Sequence, residues 1–166
     1  LTLESQRPLR QFDWVAFSVS FENAYAGLLE VLKLSGIPLR SAQRTGEDPL
    51  IVVGGAAPSL NPEPLSPFAD LMVIGEAEGV LERLVELWEP AGNRERFLER
   101  AAELPGVYVP RLGGPVRRAW ARDVAQRPAH SVIITPEAEF SNAFLLEVGR
   151  GCPWGCRFCA AAFLYR

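Results

Sequence analysis

The sequence has no hydrophobic run that could cross a membrane, since none of its apolar stretches approaches the roughly 20 residues that a bilayer requires. Residues 1–7 also lack the charged start and apolar middle of a signal peptide. The net charge of −3 provides no broad basic field that would attract a nucleic acid or an anionic membrane surface. Together these absences predict a cytoplasmic protein with neither kind of partner.

Cysteine is absent until the end of the chain, where three cysteines lie close together at Cys152, Cys156 and Cys159. A disulfide scaffold would instead spread an even number along the chain, so the grouping favours a metal site in a reducing compartment.

Dinucleotide and P-loop chemistry have no support in the sequence, because the chain contains no G-x-G-x-x-G and no G-K-[ST] sequence.

Short apolar segments of strand type alternate with amphipathic helices along the first part of the chain. Strands are predicted at residues 13–19, 50–53 and 70–74. Helices are marked by apolar residues at i, i+3, i+4 and i+7, namely Tyr25, Leu28, Leu29 and Leu32, then Leu81, Leu84, Val85 and Trp88. This alternation implies parallel strands joined by right-handed crossovers, and it predicts a doubly wound α/β domain of flavodoxin or Rossmann type over residues 1–104.

Both ends of the chain suggest a piece of a longer protein. The sequence begins with Leu1 rather than Met and stops at Arg166 within an apolar run of helical type. Three strands are also few for a doubly wound sheet. We therefore expect one or two further strands before Leu1, whose loss would leave an unpaired sheet edge.

The pattern weakens after the first domain, and residues 105–142 are interpreted as a connector. Within it, residues 106–110 and 132–135 are candidates for short strands. Residues 143–148 resume the strand pattern and lead directly into the cysteines. We expect residues 143–166 to be the start of a second, truncated domain.

The cysteines form a C-x3-C-x2-C pattern after this strand, with glycines around them and an aromatic residue, Phe158, before the last cysteine. Thiolates bind iron in iron–sulfur clusters, and three on one loop can hold three irons of a cubane while the fourth iron stays open. Glycine lets the backbone turn tightly and bring N–H groups near the anionic sulfides. The pattern therefore predicts a four-iron four-sulfur cluster.

Two other interpretations of the cysteines remain open. A structural zinc ion accepts three thiolates and one imidazole, but the single histidine, His130, lies 22 residues before Cys152, outside the usual knuckle spacing. A redox pair made by Cys156 and Cys159 would leave Cys152 without a role.

Glycine turns follow two of the predicted strands, at Gly54, Gly55 and Gly75. In doubly wound sheets ligands lie beyond the carboxyl ends of the strands, where glycine lets the backbone approach a phosphate. These three residues are therefore candidates for a ligand-binding edge. The alternative is a set of tight turns without a ligand.

Two groups of charged residues in the first part and the connector have two interpretations each. Glu76 and Glu78 could form a catalytic pair, although carboxylates in the first turn of a helix are also favoured by the positive end of its dipole. Arg117, Arg118 and Arg122 could bind an anion or form a solvated face.

The cysteine pattern after a strand resembles the signature of the radical S-adenosylmethionine (radical SAM) superfamily. The resemblance implies that Cys152, Cys156 and Cys159 are the cluster ligands and that Phe158 lies near the adenine of S-adenosylmethionine. It also implies that the open iron chelates this cofactor, whose reductive cleavage yields a 5′-deoxyadenosyl radical that abstracts hydrogen from a substrate. A reductant such as a flavodoxin or ferredoxin is then an expected partner.

The first domain is similar to the cobalamin-binding-type domain that precedes the barrel in many radical SAM enzymes. The likeness is carried by residues 51–55, 61–64, Asp70 and 75–78. The D-x-H-x-x-G motif that supplies a histidine beneath cobalt in cobalamin users is absent from this sequence. The domain could therefore serve substrate positioning or packing instead, or act as a non-catalytic module that binds a corrinoid or a protein partner.

Nearly the whole chain is similar to a functionally uncharacterised fusion-type radical SAM family. The likeness includes residues 4–9, 36–40 and 156–160. It implies an enzyme in the intact parent, whose later barrel strands would supply the substrate pocket, and an inactive fragment here.

The tail carries an apolar set that is too large to leave in water, at roughly 25 cal/mol for each Å² of buried area. Its members are Phe140, Phe144, Leu145, Phe158, Phe163 and Leu164. We expect these side chains to find a substitute surface, on the open sheet edge or on a second copy of the chain. We also expect the cysteine loop to be the least ordered functional part when no metal is bound.

Overall fold

The computed structural model describes residues 1–121, 124–126 and 128–165. Its strands are β1 Trp14–Ser18, β2 Leu50–Gly54, β3 Leu71–Val73 and β4 Val107–Tyr108. Its α-helices are α1 Tyr25–Leu34, α2 Ala56–Leu60, α3 Val80–Ala91, α4 Arg94–Ala101 and α5 Ala161–Leu164. No helix in these ranges combines the length and apolar character needed to cross a bilayer.

The four strands form one mixed sheet in the order β1-β2-β3-β4. β1 pairs with β2 in parallel, with Trp14 opposite Leu50, and β2 pairs with β3 in parallel, with Val52 opposite Leu71. The short β4 runs antiparallel to β3. The predicted α/β fold with a parallel core is confirmed, and the added antiparallel strand makes the sheet mostly rather than wholly parallel.

Both faces of the sheet are covered by helices. Alternate residues of a strand point to opposite faces, so Leu50 and Val52 belong to one buried cluster, whereas Ile51 and Val53 belong to the other. The first cluster takes its remaining members mainly from α3 and α4, and the second takes Leu28 and Leu32 from α1. This two-sided burial explains why β2 is apolar along its whole length.

The chain divides into two compact units, Leu1–Trp120 and Ala121–Arg166. The first unit therefore extends beyond residue 104, where we had predicted that a connector begins. The reason is hydrogen bonding to the sheet: the Ile74 N–H donates to the Gly106 carbonyl at 2.7 Å, and the Ala119 N–H donates to the Ile74 carbonyl at 2.9 Å. Within residues 105–120, β4 lies inside the strand candidate at 106–110 and Ala119 makes an isolated bridge with Gly75.

The second unit contains α5 but no extended strand among its described residues. The predicted strand at 143–148 makes one isolated antiparallel bridge, between Leu146 and His130. Residues 132–135, the other strand candidate, are irregular. Strand geometry needs a continuous row of backbone partners, and neither segment has one in the described residues.

Candidate metal centre

The three cysteines lie on the loop that precedes α5. All three are free thiols; Cys152 and Cys159 are partly buried and Cys156 is exposed. The Cys159 N–H donates to the Cys156 carbonyl at 3.2 Å, so the second and third cysteines are joined by a tight turn. No thiol is part of a disulfide, and each is at least partly exposed to solvent.

The donor set fits an iron–sulfur cluster in its chemistry. Three free thiols on one short loop are the ligands that such a cluster takes from a protein. Within the described residues, however, no three Cys, His, Asp or Glu side chains are gathered in a group that could hold a metal ion. The loop supplies suitable ligands without bringing them together, and the ligand assignment stays a prediction.

His130, the fourth ligand in the zinc interpretation, has other neighbours. Its ring is exposed, its Nδ1 lies 3.3 Å from the Pro128 carbonyl oxygen, and its centroid lies 5.8 Å from that of Phe144. The ring thus has contacts of its own, and the zinc interpretation stays a prediction, as the cluster does.

Phe158, predicted to lie near an adenine, projects into solvent with 92% of its surface exposed. Trp154, on the same loop, is also exposed. Exposed aromatic rings beside the thiols could stack on a planar ligand. The role of Phe158 stays a prediction.

The glycine turns lie where the sequence predicts them. Gly54 ends β2, Gly55 follows it, and Gly75 lies two residues beyond β3. Gly55 has φ +109°, and a Cβ there would come within 2.5–2.9 Å of the Val19 backbone. Gly75 has φ +104°, and a Cβ there would collide with the Ala119 carbonyl. The chain's own backbone explains both glycines, so neither needs a ligand, and their role at a ligand edge stays a prediction.

The acidic residues after β3 are arranged differently from our prediction. α3 begins at Val80, so Glu76 and Glu78 precede the helix rather than lying in its first turn. The carboxylate that caps the amino end of α3 is that of Glu82, which accepts a hydrogen bond from the Gly79 N–H at 2.7 Å. Glu76 is buried beside this turn.

The arginine segment packs against the same sheet end. Arg118 donates from Nη2 to the Ser59 carbonyl at 3.2 Å, and its guanidinium lies 5.6 Å from the Trp120 ring centroid. The Arg117 carbonyl accepts a hydrogen bond from the Gly106 N–H. Arg122 lies outside the described residues. For Arg118, these contacts favour packing over a solvated face.

Sequence patterns did not reveal a buried ion-pair network at the amino ends of the strands. Asp70 lies 2.7 Å from Arg44 Nη1 and 2.7 Å from Arg94 Nη2, and it accepts the Ile51 N–H at 2.7 Å. Burial lowers the pKa of Arg44, and the adjoining Asp70 carboxylate offsets part of that effect. An acidic residue directly before an apolar strand was the available signal.

A cleft of about 650 Å³ opens beside this network and is lined in part by Arg10, Asp48, Trp88 and Arg94. Asp48 accepts hydrogen bonds from the Thr45 N–H and from Arg10. The Thr45 backbone hydrogen bond is the largest of the influences that lower the pKa of Asp48. The cleft lies at the amino ends of β1 and β2, opposite the glycine turns.

The sequence profile of a family described as "Radical SAM proteins, N-terminal" matches residues 1–110. The chain belongs to the radical SAM proteins. The match covers most of the first unit and ends before the cysteines. The superfamily resemblance inferred from the cysteine loop is thus confirmed by a different part of the chain.

Two curated relatives extend the comparison of this radical SAM chain. It is 26% identical over 98% of its length to an uncharacterised protein of Methanocaldococcus jannaschii, of which it covers 33%. It is 28% identical over 66% of its length to a bacteriochlorophyllide d C-8(2)-methyltransferase of Chlorobaculum tepidum, of which it covers 21%. The chain therefore spans about a third or less of these relatives. No solved structure matches it.

Proposed function

We propose that this radical SAM chain provides the N-terminal α/β unit and the cluster-binding loop of a longer enzyme that reductively cleaves S-adenosylmethionine. The observation that carries the proposal is the C-x3-C-x2-C loop of free thiols in a chain whose first 110 residues match the family. Catalysis belongs to the longer parent, and the 166-residue chain by itself is inactive.

Cys152, Cys156 and Cys159 are the residues whose thiolates would hold the cluster. A four-iron four-sulfur cluster held there would supply the electron for reductive cleavage of S-adenosylmethionine. The exposed Phe158 ring offers an apolar surface for the adenine. A small electron-transfer protein, such as a flavodoxin or ferredoxin, is the expected reductant, and the hydrogen donor is a further substrate.

Anaerobic reconstitution of the chain with iron and sulfide tests the ligand assignment. We expect cluster absorption in the unsubstituted chain and a sharp fall in iron and sulfide content when any one cysteine is changed to Ala. Trp154→Phe, in the same loop, is the matched control and should retain iron. Equal yield in Cys152→Ala would contradict the assignment and favour the two-cysteine redox site.

Two further measurements separate the alternative functions. His130→Ala should leave metal content unchanged, whereas loss of a tightly bound zinc ion would support the zinc site. Corrinoid absorption without iron would support a corrinoid-binding module.

The same reconstitution of the longer parent protein tests the reaction. After reduction in the presence of S-adenosylmethionine, the parent should form 5′-deoxyadenosine and the 166-residue chain should not. A loaded parent that forms none would contradict the proposed activity.

A further inference from the structure

An ion pair precedes the cysteine loop, between Glu147 and Arg150. Arg150 Nε lies 2.7 Å from Glu147 Oε1, and Arg150 Nη2 lies 2.8 Å from Glu147 Oε2. The Arg150 side chain is 15% exposed and the Glu147 side chain is 27% exposed. A two-point contact of this kind fixes the orientation of both groups as well as their distance. The two residues are three apart in the chain, so the contact spans Val148 and Gly149.

Glu147 is itself held in place by backbone hydrogen bonds. Its N–H donates to the Ala129 carbonyl at 2.8 Å, and the Ser131 N–H donates to the Leu145 carbonyl at 2.9 Å. The Ser131 hydroxyl also accepts the Leu145 N–H at 2.7 Å. The ion pair therefore connects this isolated antiparallel bridge to Arg150, two residues before Cys152.

The far end of the cysteine loop returns to the same place. Gly151 has φ +78°, and a Cβ there would collide with the Tyr165 carbonyl, just beyond α5. Ala162 and Leu164 of α5 are buried. Both ends of the loop that carries the cysteines thus meet at Gly151, whose neighbour Arg150 is tied to Glu147.

We propose that Glu147 and Arg150 are positioning residues that fix the first end of the cysteine loop, next to the Gly151–Tyr165 contact, for cluster binding. The inference rests on the proposed cluster, although the contacts exist in the metal-free chain. Without the pair, the loop must lose more conformational freedom when it gathers three thiols, so the cluster should assemble less readily and dissociate faster.

The metal-free chain offers the first test, through the alkylation rates of its thiols. Cys152 is partly buried and Cys156 is exposed, so Cys156 serves as an internal standard. We expect Glu147→Ala and Arg150→Ala both to raise the Cys152 rate towards that of Cys156. The two variants change the local charge in opposite senses, so a shared increase indicates exposure rather than altered thiol acidity. Unchanged Cys152 rates would overturn the proposal.

Cluster retention provides the second test. After anaerobic reconstitution, we expect iron to leave Glu147→Ala roughly tenfold faster in the presence of a chelator, because a loop end without this contact gives up more conformational freedom on cluster binding. Arg150→Lys should behave similarly, because an ammonium cannot make the two-point contact. Glu86→Ala is the matched control, since Arg83 and Glu86 form an exposed ion pair with the same spacing.

The outcomes separate this inference from the proposed function. Full retention of iron by Glu147→Ala and Arg150→Lys, with a stable cluster in the unsubstituted chain, would overturn the positioning role alone. No cluster in the unsubstituted chain would overturn both. A thermal unfolding midpoint that falls in Glu147→Ala while iron loss stays at the control rate would assign the pair to stability and also overturn the inference.

Discussion

Two apolar segments of similar composition have different structures in this molecule. Residues 50–53 form the buried centre of a sheet, with parallel partners on both sides. Residues 143–148 make one isolated bridge, and Phe144 and Val148 are 58% and 94% exposed. The comparison shows that an apolar run becomes a buried strand only where neighbouring chain supplies both backbone partners and covering side chains.

The first unit also contains a buried charge network, and removing its centre should have the largest effect on stability. Asp70→Asn keeps the size of the side chain but leaves Arg44 and Arg94 without their carboxylate. We expect the free energy of unfolding to fall by about 3–5 kcal/mol, because a buried charge left without its partner is costly. Urea unfolding followed by tryptophan fluorescence measures this loss.

Glu86→Ala is the control for this prediction, since it removes an ion pair whose two side chains are mostly exposed. We expect a change of less than about 1 kcal/mol. Similar losses in the two variants would show that burial does not distinguish the network from a surface pair.

Gly75→Ala tests the close backbone packing at the carboxyl end of the sheet. A Cβ at residue 75 would meet both an unfavourable φ and the Ala119 carbonyl, whereas a Cβ at Gly79, with φ +79°, would meet open space. We expect Gly75→Ala to cost at least about 2 kcal/mol and Gly79→Ala about 1 kcal/mol. Thermal unfolding of both variants gives the comparison, and equal losses would argue against the close contact.

The lowered pKa of Asp48 predicts a dependence of stability on pH in the first unit. Because folding lowers this pKa, the stabilisation is present above the ordinary value of 3.8 and is lost as the pH falls through the lower, folded value. Asp48→Asn should cost about 1–2 kcal/mol at neutral pH and nothing in strong acid. Unfolding curves recorded from neutral to acidic pH should therefore converge for the two proteins, and parallel curves would contradict the assignment.

Exposed apolar side chains in the second unit should contribute least to stability and most to association. Phe144→Ser together with Val148→Ser should change the free energy of unfolding by no more than about 0.5 kcal/mol. If the tail pairs with a second copy, light scattering should show a dimer that these changes weaken. Monomers in both cases, with a tail that resists proteolysis, would exclude the intermolecular contact.

The sheet was largely predictable because its signals are local. Strand runs such as residues 50–53 are apolar on both faces, and the predicted stripe of α1 includes the buried Leu28 and Leu32. In α3, Leu84 of the predicted stripe is buried, whereas Leu81 and Val85 are exposed. The strand candidate at 106–110 contains β4, but the sequence did not mark the end of the first unit. Ala119 reaches the sheet through backbone hydrogen bonds with Ile74 and Glu76, which depend on distant chain and not on local composition.

The same distinction applies to the candidate site. The thiol spacing from Cys152 to Cys159 is a covalent property, and it predicts iron chemistry without knowledge of the fold. The Glu147–Arg150 pair left only a weak signal, two opposite charges three residues apart. The structure adds the two-point contact itself and the hydrogen bond from the Glu147 N–H to the Ala129 carbonyl.

The sequence alone determined the alternation of strands and helices, the positions of the glycine turns and the three thiols, because periodicity and spacing are local properties of the chain. Only the tertiary structure decided which backbone fills the space above Gly55 and Gly75 and which arginines surround Asp70. These contacts join residues far apart in the chain, and burial determines their strength by removing the competing water.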